Sequence, residues 1–218
     1  MTDTETARSG PRRWRGLEPE DRRAARRSQL IEAGMQIMGT EGAAAATMRA
    51  TCREAALTER YFYESFGSRD ELLVAVLDEV VLGARDTILA ALETAPVEPP
   101  LLIRHVVKAF TAYVTKDPRR GRIMFVESQA EPALWDRGRE LMAEFTNPIS
   151  FALEAMYGGE KRDAVNAELN SIGLFGALAF IYQAHTQSSK ISRKRLVEHI
   201  SLMIEAQARV NSTPAGKA

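Results

Sequence analysis

The segment LTERYFYESF, at residues 57–66, combines aromatic side chains with an arginine and two glutamates. If this segment is helical, Phe62 and Phe66 stand four residues apart, share one face and point into the protein. The opposite face then carries side chains that could contact duplex DNA: Arg60, Tyr61 and Tyr63. A guanidinium can donate two hydrogen bonds to a guanine edge, and a tyrosine can contact a base or donate its hydroxyl to a phosphate. The spacing therefore predicts a short helix that is anchored on one side and reads DNA with the other.

Glu59 and Glu64 are unexpected on a helix that faces a polyanion. Glu59 could accept a hydrogen bond from a cytosine amine. Alternatively, Glu59 complements the positive end of the helix dipole, and Glu64 pairs with Arg60 on the preceding turn. We favour this second interpretation of the two acids.

A second short helix is predicted directly before the first. Thr47 is a good N-cap for a helix over 48–55, and Thr58 is a good N-cap for the helix over 59–66. Only a tight turn near Ala56 separates the two helices. Two short helices joined in this way follow the helix-turn-helix plan, in which the second helix enters the major groove.

A longer helix precedes this pair. Pro19 suits a first helical turn, and apolar residues recur with a helical period over 30–38. Gly39 and Gly42 are predicted to end this helix. The pattern predicts a three-helix DNA-binding domain over 19–68, after a flexible basic tail over 1–18.

Positive charge is concentrated at the N-terminal end. The net charge of the 218 residues is zero, but eight arginines and only three acids lie between Arg8 and Arg27. A local concentration of this kind can attract a polyanion. The candidate phosphate contacts are Arg26, Thr47, Thr58 and Arg69. The arginines of the tail could also enter a minor groove.

The remaining chain is also predicted to be helical. Ser68 and Glu71 form a capping box at the start of a fourth helix, and the segment APVEPPL interrupts the pattern after it. Further helices are expected at 101–115, 118–129, 133–156, 162–187 and 193–209. Pro148 should kink or split the third of these. No segment alternates with a period of two, so the fold class is all-α, with a second helical domain over 69–210 and a disordered tail over 211–218.

Composition excludes several classes of protein. The single cysteine, Cys52, excludes an intramolecular disulfide and favours a small buried residue. The longest apolar run, from Ile172 to Tyr182, has 11 residues, whereas a membrane span needs about 20. The N-terminus lacks the apolar segment of a signal peptide. We therefore expect a soluble, cytoplasmic protein with no membrane partner.

Residues 30–73 resemble the TetR family of bacterial transcriptional regulators. The stretch reads LIEAGMQIMGTEGAAAATMRATCREAALTERYFYESFGSRDELL. The matching residues are Ala33, Ile37, Met38, Gly42, Thr47, Met48, Arg53, Glu54, Ala55, Leu57, Thr58, Tyr63, Phe66, Ser68, Glu71 and Leu72. Ala56 stands where the family usually has glycine, Thr51 occupies a buried aliphatic position, and the bulky pair Arg60–Tyr61 replaces a small residue. These departures concern the operator sequence more than the fold.

The resemblance implies that the C-terminal helices bind a ligand and form a dimer. An effector pocket is usually apolar with few polar groups, and the candidate residues are Phe110, Tyr113, Met124, Phe125, Glu127, Trp135, Phe145, Phe151 and Phe175. Each of them could equally be an ordinary core residue. As a set they indicate a lipophilic or aromatic effector.

Homodimerisation is predicted through the helices near 162–187 and 193–209. The segment SIGLFGALAFIYQAH mixes small residues with large apolar ones around most of the helix circumference. Such a helix is either central to the core or half buried in a subunit interface. Two such helices from each subunit would form a four-helix interface.

The combined interpretation is a ligand-responsive transcriptional repressor that binds a near-palindromic operator as a homodimer. The sequence shows no catalytic constellation, no phosphate-binding glycine loop and no metal-ligand spacing, so we expect neither an enzyme nor a cofactor or metal. Two alternatives remain open. One is an all-helical, lipid-like small-molecule binding protein, and the other is a DNA-binding scaffold without an effector.

Overall fold

The computed structural model describes residues 19–141, 144, 164–187 and 190–212. Every regular element in this part of the chain is helical, which confirms the all-α fold class. The N-terminal elements are α1 (Pro19–Thr40), a 3-10 turn (Ala43–Ala45), α2 (Met48–Glu54), α3 (Glu59–Ser65) and α4 (Arg69–Glu93). The later ones are α5 (Pro99–Lys116), α6 (Pro118–Arg122), a π-helical segment (Ile123–Glu127), α7 (Ser128–Ala130), a 3-10 turn (Pro132–Leu134), α8 (135–141 and 144), α9 (Ala164–Gln187) and α10 (Arg193–Ser212).

The observed bounds agree closely with the predicted ones, with one change of character. The helix predicted over 118–129 is a composite of α6, the π-helical segment and α7. The helix predicted from residue 133 is described only in its first part, and Pro148 lies outside the described residues. None of the described helices combines the length and the hydropathy that a membrane span needs.

The core of the first three helices forms around α1. Leu30 and Met38 on α1 are fully buried, and α1 packs against α2, α3 and α4. Phe62 and Phe66 are buried in the same cluster, as their four-residue spacing predicted. Cys52 also lies in this core, and burial raises the pKa of its thiol, with a smaller contribution from the charge of Glu59. The apolar spacing thus predicted correctly which face of α3 points inward.

The end of α1 differs from the prediction. Gly39 lies inside the helix, which continues to Thr40, so only Gly42 belongs to the turn that follows. A Cβ atom at Gly39 would stand 2.3 Å from Cβ of Arg119, so glycine allows α1 and α6 to approach closely. Gly42 has a φ angle of 102°, a left-handed conformation that favours glycine. One glycine therefore serves packing and the other serves the turn.

The predicted caps at Thr47 and Ser68 are present, and the one at Thr58 is not. The hydroxyl of Thr47 accepts a hydrogen bond from the Ala50 amide at 3.2 Å, and that of Ser68 accepts one from the Glu71 amide at 3.2 Å. In the predicted capping box, the carboxylate of Glu71 accepts its hydrogen bond from the amide of Gly67, one residue before the N-cap, at 2.7 Å. Thr58 occupies the N-cap position of α3, but its side chain makes no capping hydrogen bond. Before α3 the chain turns at Ala56 with a φ angle of 52°, the left-handed conformation for which glycine is better suited.

The predicted second domain is built on α4 and α5. These two helices pack against each other, α10 packs on α5, and the buried side chains of α4 continue the core that begins under α1. Leu72, Leu73 and Val76 on α4 join the same cluster as Leu30. The buried cluster therefore continues from α1 into α4 across residue 68, and the division into two domains at that residue stays a prediction.

Thr51 provides a test of this core. Its side chain is fully buried, and its hydroxyl has no hydrogen-bond partner in the described structure. Thr51→Val should therefore raise the free energy of unfolding by about 1 kcal/mol, because it removes an unpaired polar group at nearly constant volume. The measurement is chemical denaturation of both proteins.

Thr111→Val is the matched control. Thr111 is also fully buried, but its hydroxyl lies 2.8 Å from that of Tyr182, so the same substitution leaves the tyrosine hydroxyl unpaired. It should lower the free energy of unfolding by about 1–2 kcal/mol. A loss of stability in Thr51→Val as large as that in Thr111→Val would show that Thr51 does have a partner.

Candidate functional site

The outer face of α3 has the predicted composition. The side chain of Arg60 is 83% exposed, and Tyr63 is 61% exposed. Beneath them Phe62 is buried and meets the ring of Tyr63 edge to face, with the ring centroids 5.8 Å apart. The buried phenylalanine therefore fixes the helix from which Arg60 and Tyr63 project.

Three arginines converge on Glu64 at the C-terminal end of α3. Arg23 donates from Nε and Nη2 to the backbone carbonyl of Glu64, at 3.0 and 2.6 Å. Arg26 approaches the carboxylate at 3.5 Å, and Arg60 donates to it from Nε at 3.0 Å. The pair that was predicted between Glu64 and Arg60 is thus present, and two arginines of α1 join it.

Arg26 is partly withdrawn from the surface. Besides its ion pair with Glu64, its guanidinium lies over the ring of Tyr61, 4.4 Å from the centroid. The structure therefore brings Arg26 and Arg60 together at one carboxylate, and Tyr61 lies against Arg26. Thr47 and Thr58 are exposed at the starts of α2 and α3.

Arg69 lies at a junction between elements. Its Nη2 atom donates to the carbonyl of Ala43 at 2.7 Å and to Oε2 of Glu131 at 3.0 Å. The guanidinium thus links the turn after α1 to the segment after α7. Sequence reasoning had assigned Arg69 to a phosphate contact and gave no signal of this link, since Glu131 is 62 residues away.

Glu127 binds the backbone amide of Ala43, the residue whose carbonyl is bound by Arg69. It is 7% exposed, and its Oε2 atom accepts a hydrogen bond from the amide of Ala43 at 2.7 Å. Its Oε1 atom accepts one from Nε of Arg122 at 2.9 Å, and Arg122 also donates to the carbonyl of Thr40 at 2.7 Å. Both backbone groups of Ala43 are therefore bound by side chains from outside the first three helices.

An aromatic cluster surrounds Tyr182 in the C-terminal part. The ring of Phe125 stacks parallel to that of Tyr182, with centroids 5.4 Å apart, and Phe110 meets Tyr182 edge to face at 5.6 Å. Phe175 lies 5.9 Å from Phe125. Burial raises the pKa of Tyr182, and its hydroxyl is paired with that of Thr111. The sequence analysis missed Tyr182 as a site residue, although it ends the apolar run of α9.

A cavity of about 380 Å³ opens beside this cluster. It lies where the end of α1 meets α6, the π-helical segment and α9. Its lining residues are Gly39, Pro118, Gly121, Arg122, Phe125, Val126, Tyr182 and Gln183. The lining combines aromatic and aliphatic residues with an arginine and a glutamine. Such a cavity falls within the size range of small-molecule sites, about 300–1,000 Å³.

Of the predicted effector residues in the described part of the chain, only Phe125 lines this cavity. Met124 is buried, and Tyr113 donates its hydroxyl to the carbonyl of Val80 at 2.9 Å. Trp135 is 53% exposed, and its indole nitrogen donates to the carbonyl of Gln129 at 2.9 Å. Phe145 and Phe151 lie outside the described residues. Within those residues no group of three or more potential ligands could hold a metal ion.

The helices that were predicted to form a dimer carry exposed apolar side chains. On α9 these include Leu169, Ile172 and Phe180, of which Phe180 is 74% exposed. Leu202 on α10 is also exposed. Apart from the adjoining residues and the nearby backbone of α9 itself, no atom of the described residues lies within 4 Å of a Cβ added at Gly173 or Gly176, so α9 has an open face with small residues there.

Comparison with known proteins identifies relatives of this arrangement. Residues 30–76 match the model of the family described as bacterial regulatory proteins, tetR family. The chain is 31% identical over 80 residues to the HTH-type transcriptional regulator BetI of Rhizobium meliloti (strain 1021). That alignment covers 37% of this chain and 37% of BetI, so it spans little more than a third of either protein.

Solved structures extend the likeness to most of the chain. A TetR-family transcriptional regulator from Bordetella parapertussis 12822 superposes with a TM-score of 0.61 at 20% identity, covering 82% of this chain and 93% of that one. The transcriptional regulator FadR from Bacillus subtilis, solved in complex with stearoyl-CoA, gives a TM-score of 0.65 at 14% identity, covering 83% and 97%. At these identities the likeness shows the fold.

The sequence match and the fold lead to the same family. The matched region begins in α1 and ends in α4, so it contains the helix pair, the buried phenylalanines and the exposed face of α3. The resemblance to the TetR family is therefore confirmed: residues 30–76 carry the family's helix-turn-helix region, and the described chain has the all-helical fold of TetR-type transcriptional regulators.

Proposed function

We propose that this protein is a transcriptional regulator that reads duplex DNA with α3 and is controlled by a small molecule. The observation that carries the proposal is the two-sided construction of α3. Phe62 is buried below the helix, while Arg60 and Tyr63 are presented above it. In this role Arg60 and Tyr61 contact bases, and Tyr63 contacts a phosphate. Neighbouring phosphates would be bound by Thr47 and Thr58.

Arg26 and Arg69 take different roles in this proposal. Arg26 positions Tyr61 through the guanidinium–ring contact. Its side chain is still 20% exposed, so in this proposal it can also contact a phosphate of the bound duplex. Arg69 connects the turn at Ala43 to Glu131 and acts within the protein. We assign Arg69 to holding the DNA-binding helices in place.

The protein acts as a homodimer in this proposal. The exposed apolar residues of α9 and α10, together with the open face at Gly173 and Gly176, are suited to a second copy of the same helices. A twofold dimer places two α3 helices on successive turns of the duplex, and its operator is a near-palindrome. A repressor of this type works where the chromosome is, which implies a cytoplasmic location.

The effector site in this proposal is the cavity beside Tyr182. The rings of Phe125 and Tyr182 suit an apolar or aromatic body, and the polar groups of Arg122 and Gln183 suit an oxygen-bearing head group. FadR of Bacillus subtilis was solved with stearoyl-CoA, which supports an amphipathic, acyl-type effector for a protein of the same fold.

The cavity adjoins the contacts that hold the DNA-binding helices. Phe125 lines the cavity, and Glu127, two residues later in the π-helical segment, binds the amide of Ala43. π-helical segments are rare and are frequently found at functional sites. A ligand that displaces Phe125 would shift Glu127 and change the position of α1–α3, which weakens both half-site contacts and releases the operator.

The experiment that tests the proposal is selection of random duplex DNA by the purified full-length protein, at stated salt, followed by sequencing. Enrichment of an inverted repeat is the expected result and supports a dimeric DNA reader. Weak binding that depends only on salt, without enrichment, would contradict it and favour an all-helical small-molecule binding protein.

Substitutions of Arg60 and of Tyr63 should weaken DNA binding in different ways. Arg60→Ala should remove the preference at one base position and cost about 1–3 kcal/mol on the selected operator. Tyr63→Phe should weaken binding to every sequence about equally, by roughly 1 kcal/mol, because a phosphate contact carries no base information. Dissociation constants on single-base variants of the operator provide the measurement. A uniform loss in Arg60→Ala would reassign that residue to the backbone.

Glu127 should connect folding of the DNA-binding helices to the rest of the chain. Glu127→Gln removes the charge that binds Arg122 and the Ala43 amide, and should lower the free energy of unfolding by about 1–3 kcal/mol and weaken operator binding. Chemical denaturation and operator titration measure the two effects.

The control for this prediction is Glu140→Gln. Glu140 forms an exposed ion pair with Arg137, and its side chain is 63% exposed, so its loss should change stability by less than about 1 kcal/mol. If the two glutamine variants behave alike, Glu127 makes no special contribution at the junction.

A further inference from the structure

The carboxylate of Glu64 pairs with two arginines that, under the proposed function, could otherwise bind DNA. Oε1 accepts from Arg60 on the same helix at 3.0 Å, and Oε2 pairs with Arg26 of α1 at 3.5 Å. The Glu64 side chain is 34% exposed, so the carboxylate is partly shielded from water and from competing ions. An acid at this position reduces the attraction of α3 for any polyanion.

Arg26 and Arg60 differ in how readily DNA can draw them away from Glu64, because their other contacts and their exposure differ. Arg26 is 20% exposed and also lies over Tyr61, whereas Arg60 is 83% exposed and touches Glu64 through Nε. An exposed ion pair of this kind is worth only about 0–1 kcal/mol, so a guanine edge can replace it. A correctly placed guanine edge is neutral and can take Arg60 without repulsion from Glu64, whereas a phosphate that approaches the same guanidinium is repelled by the carboxylate.

We infer that Glu64 determines the specificity of DNA reading by restraining Arg26 and Arg60, an inference that rests on the proposed DNA-binding function. Its carboxylate holds both guanidinium groups in place until a base edge of the right geometry replaces one of them. It lowers affinity for all duplexes and lowers it most for non-cognate ones. Specificity is a difference between two affinities, and a repulsive group is an effective way to create it.

The backbone at this position makes the idea testable. Arg23 binds the carbonyl of Glu64, and this contact does not depend on the side chain. Glu64→Gln therefore keeps the attachment of α3 to α1 and removes only the charge that restrains the two arginines. Gln also has nearly the shape of Glu, so the core below at Phe62 is unchanged.

The experiment compares Glu64→Gln with the full-length wild-type protein on two duplexes, the selected operator and a scrambled version of it, over a range of salt. The variant should bind the scrambled duplex about tenfold more tightly and the operator with a smaller gain, so that discrimination falls. Two arginines released to phosphates should make the salt dependence on scrambled DNA steeper by up to about two in log–log slope.

Glu59→Gln is the matched control. Glu59 lies on the same helix, carries the same charge and pairs with Arg49 at 3.4 Å with a side chain that is 54% exposed. Its removal should raise the affinity for both duplexes by a similar factor and leave the discrimination ratio unchanged. Equal effects of the two glutamine variants on that ratio would overturn the inference, because Glu64 would then contribute only net charge.

A second variant of Glu64 tests whether the negative charge itself produces the effect. Glu64→Asp keeps the negative charge on a shorter side chain, so it should stay closer to the wild type on scrambled DNA than Glu64→Gln does. Identical behaviour of the Asp and Gln variants would also overturn the inference. If the wild-type protein binds no duplex at all, the proposed function itself fails; if it discriminates and Glu64→Gln discriminates equally well, the proposed function stands and this inference fails.

Discussion

The structure depends first on the burial of Phe62 and Phe66 beneath α3. A seven-residue helix is too short to be stable alone, because helix nucleation is costly and few hydrogen bonds follow it. Both rings lie in the cluster formed by Leu30 and Met38 of α1, and burial of one such ring contributes about 2–3 kcal/mol. The polar face of α3 exists as an ordered surface only because of this attachment. The three side chains of α3 that we assign to DNA, Arg60, Tyr61 and Tyr63, take their positions from it.

The first three helices are also connected to the C-terminal helices, through both apolar and polar contacts. Leu72 and Val76 of α4 extend the core, while Arg69 and Glu127 bind the carbonyl and the amide of Ala43. A buried backbone group that loses its partner costs about 1–3 kcal/mol, so the turn at Ala43 has few alternative positions. In the proposed mechanism, a displacement in the π-helical segment would therefore move the turn between α1 and α2.

Much of this arrangement could be predicted from the sequence, because it rests on local rules. Four-residue spacing identified the buried face of α3, and the caps at Thr47 and Ser68 follow from residue type and position. The ion pair between Arg60 and Glu64 is a one-turn contact of the same kind. These features need only helical geometry, so a single sequence contains the information.

The features that were missed depend on contacts between distant residues. Arg69 is a reasonable phosphate ligand by sequence position, and only the fold shows that Glu131 and Ala43 bind it. Gly39 was predicted to end a helix, but a glycine is needed there because Arg119 approaches the backbone of α1 closely. Tyr182 is one residue in an apolar run until the fold places Phe125 and Phe110 against it. Sequence patterns define faces of helices and do not say which faces meet.

These distant contacts bear directly on how a regulator of this shape could respond to a ligand. Arg23 fixes the end of α3 to α1, and the end of α1 is fixed to the following domain at Gly39 and Thr40. Arg119 adds hydrogen bonds to Glu32 and Gln36 of α1, at 2.8 and 2.9 Å. Because α1 is bound at both ends, a shift of α6 would move α3 together with α1. In the proposed dimer, a change of a few ångströms at the cavity would then change the separation of the two α3 helices, which a duplex with a fixed helical repeat does not accommodate.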